Sequence, residues 1–138
     1  MLVRFTHTLN CGIISPHSIH SENPMTDCLF CKIVQGAISA NIIYEDEKII
    51  AFDDIYPKAP QHKLIIPRRH IATLNDLTSE DVGLAGHMIY TAQSLAKQLG
   101  IAEDGYRVVM NCNAGGGQLV YHIHLHLLGG RSLVWPPG

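Results

Sequence analysis

The sequence predicts an α+β domain: a five-stranded, mostly antiparallel sheet with one long helix on a face and a short helix near the N-terminus. Three observations carry this reading. Only residues 78–99 hold a helical period over several turns, five short runs rich in β-branched or aromatic residues surround that stretch, and turn residues separate most of them. A length of 138 residues suits one domain with its own core.

Residues 1–24 mix Ser, Thr, His, Asn and Pro with one short apolar run, so they are read as an unstructured N-terminal extension to a folded domain over 25–138. Arg4 alone is thin support for a targeting peptide, and a start before Met25 accounts for the segment as well. Residues 28–34 are apolar and end at Gly36, which predicts two turns of helix stopped by glycine. Residues 41–44 and 48–52 flank Glu45, Asp46 and Glu47 as a hairpin, and 62–67 form a third strand cut off by Pro67.

In 78–99, Thr78 or Ser79 can cap, Asp81 stands at the capping-box position and Gly100 terminates. Val82, Ala85, Met88, Ile89, Ala92, Leu95, Ala96 and Leu99 recur every three or four residues, which predicts a face lying on the sheet. His87 is read as a surface residue of this helix. Residues 106–111 and 120–128 are the last two strands, separated by 112–117.

The composition excludes several roles. A net charge of −2 gives no electrostatic footprint for polymeric nucleic acid. No run approaches the roughly 20 apolar residues that span a bilayer. Two of the four cysteines, Cys28 and Cys31, form a close pair while Cys11 and Cys112 stand alone, which argues against a secreted disulfide scaffold and for a reducing cytoplasm.

Histidine is the outlier, with nine residues, three of them alternating with aliphatics at His122, His124 and His126. On a strand these imidazoles share one face at intervals of about 6 to 7 Å, while Ile123, Leu125 and Leu127 bury the other. Chance filling of solvent positions accounts poorly for three imidazoles in a row. Two chemistries fit: zinc binding through neutral ring nitrogens, or attack on phosphorus by a central imidazole whose neighbour hydrogen-bonds the phosphoryl oxygens. Ala114, Gly115, Gly116 and Gly117 precede the row with backbone that can approach an anion, and Asn111 and Gln118 add amide donors, which favours phosphorus. So few Lys and Arg residues in this segment suit a single phosphate held by dipoles.

These residues resemble the His-x-His-x-His-x-x motif of the histidine triad superfamily. Asp104-Gly-Tyr-Arg107, Asn111, Gly116-Gly-Gln118, Tyr121, Leu128-Gly-Gly-Arg131 and Trp135-Pro-Pro-Gly138 are similar to its Hint branch, the purine nucleoside phosphoramidases. Asp54, Pro57, Ala59-Pro60, His62, Ile65-Ile-Pro67 and His70 continue the likeness upstream. The resemblance implies a homodimer with sheets joined edge to edge, which hydrolyses purine nucleoside 5′-monophosphoramidates without a catalytic cofactor. It implies His124 as nucleophile, His126 on the phosphate, and His122 and His62 in support. Leu29, Phe30, Ile33, Phe52 and Ile55 would line the purine pocket, and Asp54, next to Asp53, would bind ribose hydroxyls, as a carboxylate can. Asn111, Gly117 and Gln118 would hold phosphate and leaving group, and Trp135 would reach the partner's site. Core packing is the plain alternative for each apolar residue. A nucleotide-binding scaffold without turnover and a dinucleoside polyphosphate hydrolase are the alternative activities.

Two positions depart from the branch. Leu119 stands where many Hint proteins carry a small hydroxyl residue that touches phosphate. Cys28 and Cys31, with His70 and His122, match the structural zinc ligands of other members of the superfamily, and two thiolates with two imidazoles suit tetrahedral zinc. Two buried thiols or a redox pair are the other readings of the C-x-x-C.

Overall fold

The computed structural model describes residues 27–138. The extension over 1–24 lies outside these residues. In chain order the elements are α1 (Leu29–Val34), β1 (Ile42–Glu45), β2 (Ile49–Asp53), β3 (Gln61–Pro67), α2 (Val82–Gln98), β4 (Tyr106–Val109) and β5 (Leu125–Gly129). Short 3-10 turns occupy Leu74–Asp76, Ser79–Asp81 and Ala114–Gly116. The five strands form one sheet in the order β1-β2-β3-β5-β4, with every neighbouring pair antiparallel.

Residues Ile49–Phe52 of β2 and Leu64–Pro67 of β3 are apolar and buried on both faces. Ile49, Ala51 and Ile65, with Leu125 and Leu127 of β5, pack against Met88, Ala92, Leu95 and Ala96 of α2. Ile50, Phe52, Leu64 and Ile66 face the other way, onto Phe30 and Ile33 of α1. The aliphatic partners of the histidine row thus lie on the α2 side, as the alternation predicts. His62 and His126 emerge on the α1 side, since Leu64 is the cross-strand partner of His126 and residues 62 and 64 share a face.

Helix α2 starts as its sequence predicts. Thr78 and Asp81 cap each other's backbone reciprocally, and Gly100 ends the helix at φ +73°, where a side chain would be strained. The first turn is 3-10, so the α-helix proper begins at Val82. Val82 and Ile89 do not join the core; both are exposed, on an outward side that also carries Gly83, Gly86 and Tyr90. The apolar spacing there is wider than the stripe the sheet can cover.

Strand β5 is shorter than the sequence predicts and begins at Leu125, leaving His122 and His124 ahead of it. Pro67 explains the early end of pairing. It has no N–H for the ladder, and its carbonyl accepts a hydrogen bond from the His122 ring at 2.7 Å. Ile123 instead donates its N–H to Ile71 O at 2.7 Å. The chain stays extended enough to keep Ile123 buried in the α2 core.

Candidate active site and metal centre

The histidines form a packed row beneath α1. Ring centroids lie 4.9 Å apart for His124 and His126 and 5.2 Å for His126 and His62. The Phe30 ring meets His124 edge-on at 5.2 Å and His122 at 5.9 Å. His122 is 0% exposed and His124 8%, so the row is an interior feature and not a solvated strand face.

Hydrogen-bond partners fix the proton on each ring. A carbonyl oxygen only accepts, so His124 Nδ1–H donates to His122 O at 2.7 Å and the lone pair sits on Nε2. His122 Nε2–H donates to Pro67 O, which leaves its lone pair on Nδ1. The backbone N–H of Lys58 donates to His62 Nδ1 at 3.0 Å, so the His62 proton lies on Nε2, 2.9 Å from His126 Nδ1. His126 accepts there and carries its own proton on Nε2. That atom is buried and has no hydrogen-bond partner among the described residues.

The rings are held neutral. Burial pushes His126 down to about 4, helped by His124 and His62 and opposed by the Asp54 carboxylate. Burial takes His122 to about 4 as well, against the bond to Pro67 O, with His70 and His124 adding to the depression. His124 is lowered by burial, while its bond to His122 O and the field of Asp54 oppose the shift. His62 follows the same direction, again with burial leading and Asp54 opposing.

The two neighbouring acids differ. Asp54 Oδ2 lies 3.3 Å from His62 Nε2 and Oδ1 accepts from Tyr56 N–H at 2.8 Å, so this carboxylate borders the row. Asp53 is bound by Lys63 and Asn41, and the Lys63 bond leads in holding its carboxyl below the usual range. Its side chain is committed to that ion pair. Phe30, Ile33 and Phe52 are buried against one another, Leu29 is half-exposed, and Ile55 is 79% exposed at the rim.

The glycine loop differs from the open cradle the sequence predicts. Gly116 and Gly117 donate their N–H groups to Asn113 O and Ala114 O, and Gln118 N–H returns to Asn113 O. The Gln118 side chain is also engaged: Nε2 donates to Ala72 O and Val120 O, and Oε1 accepts from Asn113 N–H. Gln118 therefore braces the loop, with Gly117 at φ +82°, while half-buried Asn111 makes no side-chain hydrogen bond among the described residues. Leu119, 90% exposed, and Trp135, 82% exposed, touch little within the chain.

Cys28, Cys31, His70 and His122 converge at the far end of the row, with one ligand atom from each lying within 4.8 Å of all the others. Cys31 Sγ is 3.3 Å from His70 Nδ1, and His122 Nδ1 is 3.5 Å from Cys28 Sγ and 3.6 Å from Cys31 Sγ. The bare Nδ1 of His122 faces the sulfurs, as a metal ligand requires. Two thiolates and two imidazoles with such separations fit tetrahedral zinc. Burial, and then the Cys28 thiol beside it, push Cys31 up to about 11, so a cation is what would draw the protons from this pair.

Sequence reasoning missed the backbone partners, Pro67 O and Lys58 N–H, because no side-chain motif marks them. It also left His87 as a plain surface residue, whereas its ring bonds Asp46 at 2.6 Å and ties α2 to the hairpin turn. An open cavity of about 400 Å³ is lined by Ile101, Asp104, Gly105, Gly130, Arg131 and Ser132 and takes in none of the row histidines.

This row of imidazoles on an antiparallel α+β sheet defines a class of protein, and the comparisons agree. The HIT domain matches residues 35–133, and the chain belongs to that family. It is 52% identical to the purine nucleoside phosphoramidase of Escherichia coli over 107 residues, 78% of this chain and 90% of that protein. A HIT family hydrolase from Legionella pneumophila superposes with a TM-score of 0.80 at 57% identity, over 81% of this chain and all of that one. A histidine triad protein from Clostridium difficile gives 0.76 at 39% identity, over 78% and 94% of the two chains.

Proposed function

We propose that this protein hydrolyses purine nucleoside 5′-monophosphoramidates through a nucleotidyl intermediate on His124. One observation carries the mechanism: the fixed tautomers leave an imidazole lone pair on His124 Nε2 beside an unpartnered N–H on His126 Nε2. The first is a nucleophile and the second a donor for a phosphoryl oxygen, and neither must change its protonation state to act. The E. coli relative's name supports the substrate class.

In this reading the purine lies against Phe30, Ile33 and Phe52, with Leu29 and Ile55 at the rim, and Asp54 accepts from the ribose hydroxyls. His124 Nε2 attacks phosphorus and the P–N bond breaks with its electron pair going to nitrogen, which takes a proton from solvent as the amine leaves. His126 Nε2–H takes up charge on a phosphoryl oxygen, and His62 keeps His126 in the donating tautomer. Water then splits the phosphorus–imidazole bond and releases the nucleoside monophosphate. Asn111 lies free to reach the phosphate, and Gly117 and Gln118 act by holding the loop.

The Cys28, Cys31, His70 and His122 cluster is proposed to hold structural zinc, which would brace His122 and leave the chemistry to His124 and His126. A homodimer is proposed through the outer edge of β4, with Trp135 reaching the partner's site. No helix among the described residues is long and apolar enough to cross a membrane, and reduced Cys28 and Cys31 agree with a cytoplasmic setting.

His124→Ala is expected to abolish release of amine from an adenosine phosphoramidate, and His124→Gly to regain part of it with added imidazole. Undiminished turnover by the alanine variant would overturn the assignment.

A further inference from the structure

The cysteine pair and the nucleotide site share a wall. Phe30 lies between Cys28 and Cys31 in the first turn of α1, buried, with its ring against His124, Phe52 and His122. His122 belongs to both places: its ring faces the two sulfurs, while its carbonyl holds the Nδ1 proton of His124. A change in the spacing of the sulfurs therefore reaches the purine wall through Phe30 and the nucleophile through residue 122.

We propose that Cys28 and Cys31 are a thiol switch on nucleotide binding: the reduced pair, holding zinc with His70 and His122, keeps the site competent, and a Cys28–Cys31 disulfide weakens it. This rests on the reading of the histidine row as a nucleotide site.

The geometry suits both states. Residues three apart on a helical turn have neighbouring side chains, and their Cα separation falls within the range a disulfide accepts. Tetrahedral zinc with Zn–S bonds of about 2.3 Å keeps two sulfurs about 3.8 Å apart, whereas a disulfide holds them at about 2.05 Å. Closing the bond thus brings the two sulfurs that flank Phe30 closer by more than about 1.5 Å, in a core whose side chains have no slack. It also removes both sulfur ligands from the imidazoles.

Exposure orders the steps. Cys28 is partly exposed, so it meets the oxidant, and Cys31 is buried behind it. The Cys28 thiolate attacks one sulfur of a low-molecular-weight disulfide, whose S–S bond breaks to release one thiolate. The Cys31 thiolate then attacks the Cys28 sulfur of the mixed disulfide and releases the second. The cysteine pair loses two electrons and the small disulfide gains them. The metal leaves as Zn²⁺, with His70 and His122 neutral.

The test uses the full chain with Cys11→Ser and Cys112→Ser, reduced and loaded with zinc, before and after treatment with oxidised glutathione. AMP affinity is read by calorimetry, zinc release by a chromogenic chelator, thiols by alkylation and mass spectrometry, and folding by far-ultraviolet circular dichroism. The switch predicts loss of two thiols, release of one zinc per chain and AMP binding weakened about fivefold or more, all restored by dithiothreitol and zinc. A further Cys28→Ser/Cys31→Ser variant should bind AMP with an affinity that oxidised glutathione does not change. Equal AMP affinity in the reduced and oxidised states, no disulfide between 28 and 31, no zinc released, or an unfolded oxidised chain would each overturn the switch. Failure of AMP to bind the reduced, loaded protein would instead overturn the nucleotide reading, and the switch with it.

Discussion

Three chemically identical side chains receive three tasks because their partners leave them no choice. Pro67 O and His122 O can only accept, and the Lys58 N–H can only donate, so each neighbouring ring carries its proton on one determined nitrogen. His122 is left facing the sulfurs, His124 keeps a bare Nε2, as the proposed nucleophile needs, and His126 keeps an unpartnered N–H, as the proposed phosphate donor needs. Replacing His62 by Leu removes the N–H that holds His126 in its donating form. Turnover of an adenosine phosphoramidate should then fall about 10- to 100-fold, within the range expected for loss of one positioned group, with KM little changed. Steady-state kinetics checks this, and nitrogen chemical shifts of His126 should show mixed tautomers; an unshifted tautomer would remove His62 from the role. The spacing of the triad pointed to a shared face, and the family resemblance to His124 as its nucleophile. It could not reveal the tautomers, which depend on main-chain atoms distant in sequence, nor that the Gln118 amide is committed to bracing the loop.

At the scale of elements, the sheet is a partition with a core on one side and the candidate site on the other. Met88 is fully buried where α2 meets the sheet. Met88→Ala should cost about 2–5 kcal/mol, the range for truncating a core side chain, read as a lower urea midpoint. Because Met88 packs on the face of the sheet opposite the histidine rings, turnover below the midpoint should change far less than stability. All five strands and both helices were legible, the strands from β-branched or alternating runs, α2 from its amphipathic period and α1 from an apolar run stopped at Gly36. Two features were not. The periodicity placed Val82 and Ile89 in the core, since spacing reports apolar positions and not the width of the surface available to cover them. The alternation ran the last strand back to residue 120, although the capacity of β3 to pair ends at Pro67.

For the molecule as a whole, acid should act through the buried rings. His126 has a folded value of about 4 against an unfolded one of about 6.5, so its neutral form is favoured by folding. Its contribution is fully present above pH 6.5 and is lost as pH falls toward 4, to a total of roughly 3 kcal/mol. His62 acts in the same direction. Urea midpoints at pH 7 and pH 4.5 check this, and a midpoint that rises on acidification would contradict it. Assembly is a second property at this scale. Strand β4 ends the sheet and has no strand on its outer edge among the described residues, Val108 is exposed on it, and Arg107 donates to Val134 O, so the tail that carries Trp135 is fastened to that edge. Sedimentation should give twice the chain mass, and Val108→Pro, which denies the edge an N–H, should halve it.

Lys58 joins two distant parts of the chain through its peptide groups alone. Its N–H sets the His62 proton, and its carbonyl is gripped by two nitrogens of the Arg131 guanidinium, at 2.8 and 3.1 Å. The C-terminal segment is thereby a remote support for the histidine row, although Arg131 bonds none of the four imidazoles. A chain trimmed just before Arg131 would keep its sheet and His124, yet the loop that orients His62, and through it His126, would have lost its anchor.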